Sequence, residues 1–332
     1  MKKKIMTFLL IFSGIFSLTS CQQNEPLPQT KIIIEREEDV QGLLSLTTKD
    51  FDDKIAIGES FIVNYGQSSC ITCIHFKGIL KNIAMEHNLR IYQMEIDDYL
   101  KTHLAETVQY YSLGLVLIQN GQVKYNFNAS ERWDKQIASY NKDSSIEYVA
   151  SDLEKYCFFD SPFYEVDKEQ ALEKIQTNAE TYLYFMRKTC ADCTAFHKHF
   201  LNQWILDGHY AKDKKIYNLN IDPYREVTET GEEAPSYIEF KNLFNLSKEA
   251  NPKFGYKTGV VPTVQKYVNG ELTKMAVIYN DEIDWETLTV VRGYYEDASF
   301  IQQTFDTYLD YQEKTTPFYQ EKFLEVIDEQ KK

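Results

Sequence analysis

Four cysteines stand in two pairs with the same internal spacing. Cys70 and Cys73 enclose Ile71–Thr72, and Cys190 and Cys193 enclose Ala191–Asp192. A thiolate is the nucleophile of thiol–disulfide exchange, and a second cysteine three residues on can resolve the mixed disulfide. Such a pair needs an element that lowers the first thiol's pKa. A helix N-terminus does this, because its unpaired N–H groups and its macrodipole favour an anion. The residues around Cys190 predict that placement. Tyr182–Met186 is a compact apolar run of strand length. After it, Cys193, Phe196, Phe200 and Trp204 recur at spacings of three, four and four, one face of a helix. Arg187 and Lys188 add positive charge nearby, and Asp192 opposes them. A net fall in the Cys190 pKa is expected.

The arrangement recurs 120 positions earlier. Phe61–Tyr65 reads as a strand, and Phe76, Ile79, Leu80 and Ile83 form a helical stripe after Cys73. Two strand–CxxC–helix units in one chain resemble the thioredoxin superfamily, twice. The resemblance covers most of residues 36–332, specifically at the two CxxC units. It implies an α/β fold of two tandem thioredoxin-like domains, each a central mixed β-sheet flanked by helices. The expected division is domain 1 over 36–158 and domain 2 over 159–332. An inserted, partly helical segment is expected near 223–258 and a charged tail at the C-terminus.

Each domain closes with a hairpin signal. Leu115–Phe127 turns at Asn120–Gly121, and Gly259–Gly270 ends in Asn269–Gly270. In the family a cis-proline lies seven residues before such an Asn–Gly. Pro262 fits in domain 2, which implies that the Val261 backbone and Pro262 hold an extended substrate peptide. In domain 1 that position is Leu113, where a cis bond costs roughly 2.5–4 kcal/mol and a trans bond is expected. Domain 1 departs elsewhere too. Ser68–Ser69 replaces the tryptophan many members carry before the first cysteine. Asn64, and Tyr184 in domain 2, replace the buried aspartate of thioredoxin itself. Domain 1 is read either as a second exchange site at Cys70 and Cys73 or as a repeat with a structural disulfide.

The chain opens with Met1–Lys4, an apolar stretch over Ile5–Leu18, and Leu18–Thr19–Ser20–Cys21. This has the shape of a secretory signal and resembles a bacterial lipobox. Residues 1–20 are expected to be a signal peptide, Cys21 the lipidated first mature residue, and 21–35 a tether to the outer face of a membrane. Disulfides persist outside the cytoplasm, so redox-active pairs fit that location. The sixth cysteine, Cys157, ends the helical pattern Val149–Leu153–Cys157 and reads as a small buried hydrophobe.

The formal net charge is −14 over 332 residues, which argues against nucleic acid as a partner. No cofactor site is visible. A metal reading sets Cys190, Cys193 and His197 as three ligands without an evident fourth; the preceding strand and Pro262 favour redox chemistry, with His197 as an exposed helix residue. The sequence thus supports an extracytoplasmic, membrane-anchored thiol–disulfide oxidoreductase acting on protein cysteines, with electrons from a membrane partner if it reduces. The alternative is a non-catalytic chaperone or secretion accessory lipoprotein, like the thioredoxin-like bacteriocin accessory proteins, with structural disulfides.

Overall fold

The structure is a computed structural model that describes residues 31–106, 108–246, 250–251, 256–257, 261–277, 281–284, 286, 289–293 and 305–329. The signal and lipidation reading at Cys21 lies outside the described residues. So do residues 298–304 of the Ala298–Leu309 run, whose pattern predicts a last helix, and parts of the expected insertion.

In chain order, the first half holds β1 (Ile32–Ile33), β2 (Leu44–Ser45), α1 (Thr48–Ala56), β3 (Phe61–Gly66), α2 (Ile71–His87), β4 (Ile91–Glu95) and the single turn α3 (Ile96–Tyr99). There follow β5 (Leu113–Gln119), β6 (Gln122–Asn128), the short helices α4 (Ala129–Arg132) and α5 (Asp134–Ala138), α6 (Asp143–Leu153) and β7 (Cys157–Phe158). The second half begins with β8 (Phe163–Glu165), α7 (Lys168–Thr177) and β9 (Glu180–Met186). A long helix then runs as α8 (Ala191–Phe196), a π-helical turn (His197–Leu201) and α9 (Asn202–Asp207). After it come β10 (Ile216–Asn220), α10 (Pro235–Leu243), the two-residue strands β11 (Ala250–Asn251) and β12 (Tyr256–Lys257), β13 (Thr263–Val268), β14 (Glu271–Val277), β15 (Asp281–Asp284), β16 (Thr289–Gly293) and α11 (Tyr308–Val326).

Two five-stranded mixed sheets carry these elements, flanked by helices. Their orders are β2-β4-β3-β5-β6 and β8-β10-β9-β13-β14. In each, the strand before the CxxC pairs in parallel with the strand after the site helix and antiparallel with the first strand of the hairpin. A parallel pair needs a crossover, which the CxxC helix supplies. Both hairpins turn on Asn–Gly with positive φ at both residues, 53° and 70° at Asn120–Gly121 and 49° and 83° at Asn269–Gly270. A two-residue turn of that conformation matches strand twist, and asparagine and glycine enter it at least cost.

Three sequence expectations are corrected. The tether does not extend through residue 35: Ile32 and Ile34 are buried, and β1 pairs in parallel with β7. The run Asp98–Tyr110, whose pattern predicts a helix, holds only the end of α3 and a 3-10 turn at His103–Glu106. There the Thr102 hydroxyl donates to the Tyr99 carbonyl, a local bond that competes with helix propagation. Cys157 stands in β7 and not at the end of a helix, although it is fully buried among the apolar core. The charged tail, Thr315–Lys332, is open in sequence to one further helix, and most of it lies in α11, whose Tyr319 and Phe323 are buried against Phe196 on α8, at ring separations of 4.6 and 5.5 Å.

Candidate functional site

Cys190 is the N-cap of α8, with extended backbone at φ −88° and ψ 123°. The strand β9 delivers it: after Met186 the chain leaves the sheet, and Cys190 N donates back to the Arg187 carbonyl at 3.2 Å. Thr189 fixes the turn from outside, its N–H and hydroxyl donating to the two Asp222 carboxylate oxygens at 3.3 and 2.9 Å. Cys190 is half-buried, and Cys193, one turn on, is 1% exposed. All five described cysteines are free thiols.

The two thiols are driven apart in acidity. The hydrogen bond from Cys193 holds the Cys190 thiolate, and with the backbone N–H groups of Cys193 and Asp192 it outweighs burial and the Asp192 charge, lowering Cys190 to about 7. Burial and the neighbouring Cys190 push Cys193 well above an ordinary thiol. Arg187 and Lys188, expected to help, face elsewhere. Arg187 Nε pairs with Asp222 at 2.8 Å, and Lys188 pairs with Glu35 and Glu59 at 3.1 and 2.9 Å. The acidity comes from helix and thiol, not from those cations.

Val261 and Pro262 meet this site. Their peptide bond is cis, and the Val261 carbonyl accepts from Cys190 Sγ at 3.7 Å. The β9–β13 ladder starts only at Thr263 opposite Phe185, so Val261 lies beside the cysteine and outside the ladder.

At the first CxxC, Cys70 caps α2 and its Sγ accepts from Cys73 N at 3.3 Å. Burial raises the Cys70 pKa, but the hydrogen bonds of Cys73 and Thr72 outweigh it and leave the thiol below its ordinary value. Burial and Cys70 push Cys73 up to about 11. The facing loop differs. Leu113 carries no cis bond and continues the ladder one pair further, opposite Gly66. A side chain at Gly66 would meet both Cys73 Sγ and Leu113 Cδ1 at 3.1 Å, so this corner is full. Asn64 is buried with its side-chain oxygen unpaired.

His197, expected as an exposed helix residue, is not one. It opens the π-helical turn, and its Nε2 lies 3.1 Å from the buried Tyr184 hydroxyl. Burial holds it down to about 4, so it is neutral at pH 7. π-Helical turns often mark functional positions. The residue also lines a cavity of about 460 Å³ between the two sheets, together with Cys193, Glu165 and Asn218. The sequence signalled His197 only through its four-residue spacing from Cys193, and nothing signalled the cavity. Among the described residues no cluster of three or more His, Cys, Asp or Glu is arranged for a metal, and no helix is long and apolar enough to cross a membrane.

No family model matches the chain, and neither does any curated protein sequence. Solved structures that it resembles include human ERp44, at a TM-score of 0.33 and 9% identity over 72% of this chain and 53% of that one. Thioredoxin O1 from Arabidopsis thaliana in its oxidized state scores 0.24 at 10% identity, over 30% of this chain and 99% of that one. Mitochondrial thioredoxin 3 from Saccharomyces cerevisiae scores 0.23 at 18% identity, over 29% and 94%. The chain spans about half the length of the ERp44 chains it matches. At scores this low, the functional reading rests on the sheet order and cysteine geometry of this chain itself.

Proposed function

We propose that the protein is a thiol–disulfide oxidoreductase acting on protein cysteines through Cys190 and Cys193. The supporting observation is the division of labour in that pair: an accessible helix-capping thiol lowered to about 7 above a buried thiol pushed far higher. In the reducing direction, the Cys190 thiolate attacks one sulfur of a client disulfide. The client S–S bond breaks and a client thiolate leaves. Cys193 then gives up its proton and attacks Cys190 Sγ, which breaks the mixed disulfide and releases the second client thiolate. Two electrons pass to the client and an enzyme disulfide remains. The reverse sequence oxidises a client dithiol. Val261, already at hydrogen-bond distance of Cys190 Sγ, offers its backbone to the client segment.

The two CxxC-bearing sheets are read as tandem thioredoxin-like domains, with α10 and its flanking loops as an insertion. Cys70 and Cys73 form a second site with restricted client access, because the Leu113 strand continues where the other site leaves its loop open. The N-terminal sequence is read as a lipoprotein signal that places the protein on the outer face of a bacterial membrane through Cys21. A membrane electron partner would then re-reduce the cysteines. The non-catalytic accessory reading keeps one observation in its favour, the filled corner at Gly66 and Leu113.

The test is trapping. Cys193→Ala should accumulate mixed disulfides with client proteins through Cys190, and Cys190→Ala should not. If Cys190→Ala leaves insulin-type disulfide reduction unchanged and Cys70→Ala removes it, the active site belongs to the first CxxC.

A further inference from the structure

The cavity between the sheets has an unbalanced floor. A chain of ion pairs reaches it: Glu59, Lys188, Glu35 and Glu165 line the cavity, while Lys54 on Glu59, Arg90 on Glu35 and Glu165, and Glu37 on Arg90 stand behind that lining. Three carboxylates of this chain of pairs, Glu35, Glu59 and Glu165, face the cavity with one of its cations, Lys188. The last link is the loosest, Arg90 to Glu165 at 3.8 Å. Arg187, which also lines the cavity, is held by Asp222 at 2.8 Å, and Arg36 donates to the His87 and Ser161 carbonyls and lies over the Tyr164 ring, 4.5 Å from its centre. Lys31 and Lys198 stand on the exposed rim.

A second observation points into the same place. Asn218 is 8% exposed and lines the cavity beside Glu165. Its Nδ2 donates to Glu165 Oε1 at 2.5 Å, but its Oδ1 is buried without any hydrogen-bond partner. A buried acceptor left unpaired costs about 1–3 kcal/mol, and native folds rarely tolerate one without a reason. Around this polar floor the walls are apolar, from Phe163, Leu201 and Ile205. The volume lies within the range of small-molecule sites, roughly 300–1,000 Å³.

We propose that this cavity binds a small organic cation, a primary amine on an apolar body, with its ammonium group between Glu165 and Asn218. The ammonium supplies the missing positive charge and a donor for Asn218 Oδ1. Its three N–H groups leave one for a carboxylate oxygen, one for the amide oxygen and one for water. The apolar body replaces water against Phe163 and Leu201. A neutral alcohol of the same shape satisfies the amide but not the charge. A bare metal ion lacks the apolar body. Binding is non-covalent, and the site stands whether or not the cysteines exchange.

The proton balance gives the site a signature. Burial and the neighbouring Glu35 raise Glu165 to about 7, against the opposing Lys188 and Arg90 charges. The groups facing it are thus Glu35 from the N-terminal segment, Arg90 at β4, Lys188 after β9 and Asn218 on β10. His197, across the cavity, is neutral at this pH. In the empty site Glu165 therefore holds close to half a proton at pH 7. An ammonium beside it expels that proton, so the amine should bind more tightly as pH rises from 6 to 8.

The experiment is isothermal titration calorimetry of full-length protein in mild detergent, with 2-phenylethylammonium, with 2-phenylethanol, and with potassium chloride as the plain-cation control. The expected result is saturable binding of the amine, preferred over the alcohol by roughly tenfold or more, the scale of a charge-assisted hydrogen bond. Potassium should not compete. At pH 7 the amine should release protons, seen as a dependence of the heat on the buffer's ionisation enthalpy, and the alcohol should release none. Glu165→Gln should remove both the preference and the proton release. The proton readout uses wild-type protein and so does not depend on the variant folding. No saturable heat with the amine, equal affinity for amine and alcohol, or an undiminished preference in Glu165→Gln each overturns the proposal.

Discussion

Cys190 and Cys193 share one helical turn, yet their surroundings separate them. Position on the N-terminus and a thiol donor pull Cys190 down to about 7, while burial drives Cys193 up. At pH 7 about half of Cys190 is then thiolate, and iodoacetamide should alkylate it along a pH profile with its midpoint near 7. Below that midpoint the thiol is protonated and the rate falls. The largest stabilising contact comes from Cys193, so Cys193→Ala should move the midpoint up toward the ordinary cysteine value of about 8.5. A profile unchanged by that substitution would leave the helix terminus alone responsible. The three-residue spacing of the two cysteines is a local signal, while the expectation of a cis bond at Val261–Pro262 came from the family resemblance. The place of His197 was not legible in sequence. A four-residue spacing from Cys193 says that two side chains share a helix face, not that Tyr184 from a strand closes over one of them.

At the scale of elements, local signals again decided what could be read. α7, over Lys168–Thr177, is an amphipathic run that begins with a capping box between Asp167 and Gln170, a signal confined to four residues. The two Asn–Gly hairpins and the helix through His87 were equally plain. The C-terminal helix was less plain and stood only as one reading of a charged tail, since Glu313, Lys314, Glu321, Lys322 and Glu325 dominate its outer side. Its inner side carries Tyr319, Phe323 and Leu324, all buried. Phe323 packs edge-on against Tyr184, 5.9 Å away, and near Phe196, Phe200 and Trp204. α11 thus backs the helix that carries Cys190. Phe323→Ala should destabilise the fold by about 3–5 kcal/mol, measured as a fall in the urea midpoint at unchanged slope. A loss under about 1 kcal/mol would mean that α11 is peripheral.

For the whole molecule the least readable feature is the seam between the sheets. Its charges come from positions 35, 37, 54, 59, 90, 165 and 188, and no local pattern links them. The sequence reading ended a tether at residue 35, and the structure shows the segment from Ile32 onward joining both halves. Glu38, for example, pairs with Lys174 and Lys215, while the Arg36 carbonyl accepts from Glu165 N at 2.7 Å. The seam also sets a pH response. Glu165 has a folded pKa near 7, above its ordinary 4.5, so the folded state holds a proton that the unfolded chain has lost. Its contribution is present in full below about 4.5, declines as pH rises through 7, and is absent above. Glu165→Gln keeps an acceptor for Asn218 without the charge. It should raise the melting temperature at pH 8 more than at pH 5. An equal change at both values would place the cost of Glu165 elsewhere.

The central claim, that Cys190 and Cys193 form an exchanging pair, is tested most directly by titrating that pair in dithiothreitol and glutathione buffers on full-length protein carrying Cys70→Ala and Cys73→Ala, with alkylation and mass measurement of the Cys190 peptide. A reversible two-electron transition between roughly −270 and −120 mV is the expected result, the span of exchange enzymes from reductant to oxidant. A pair that stays oxidised down to about −300 mV and below is a structural disulfide, and it would contradict the enzyme reading outright.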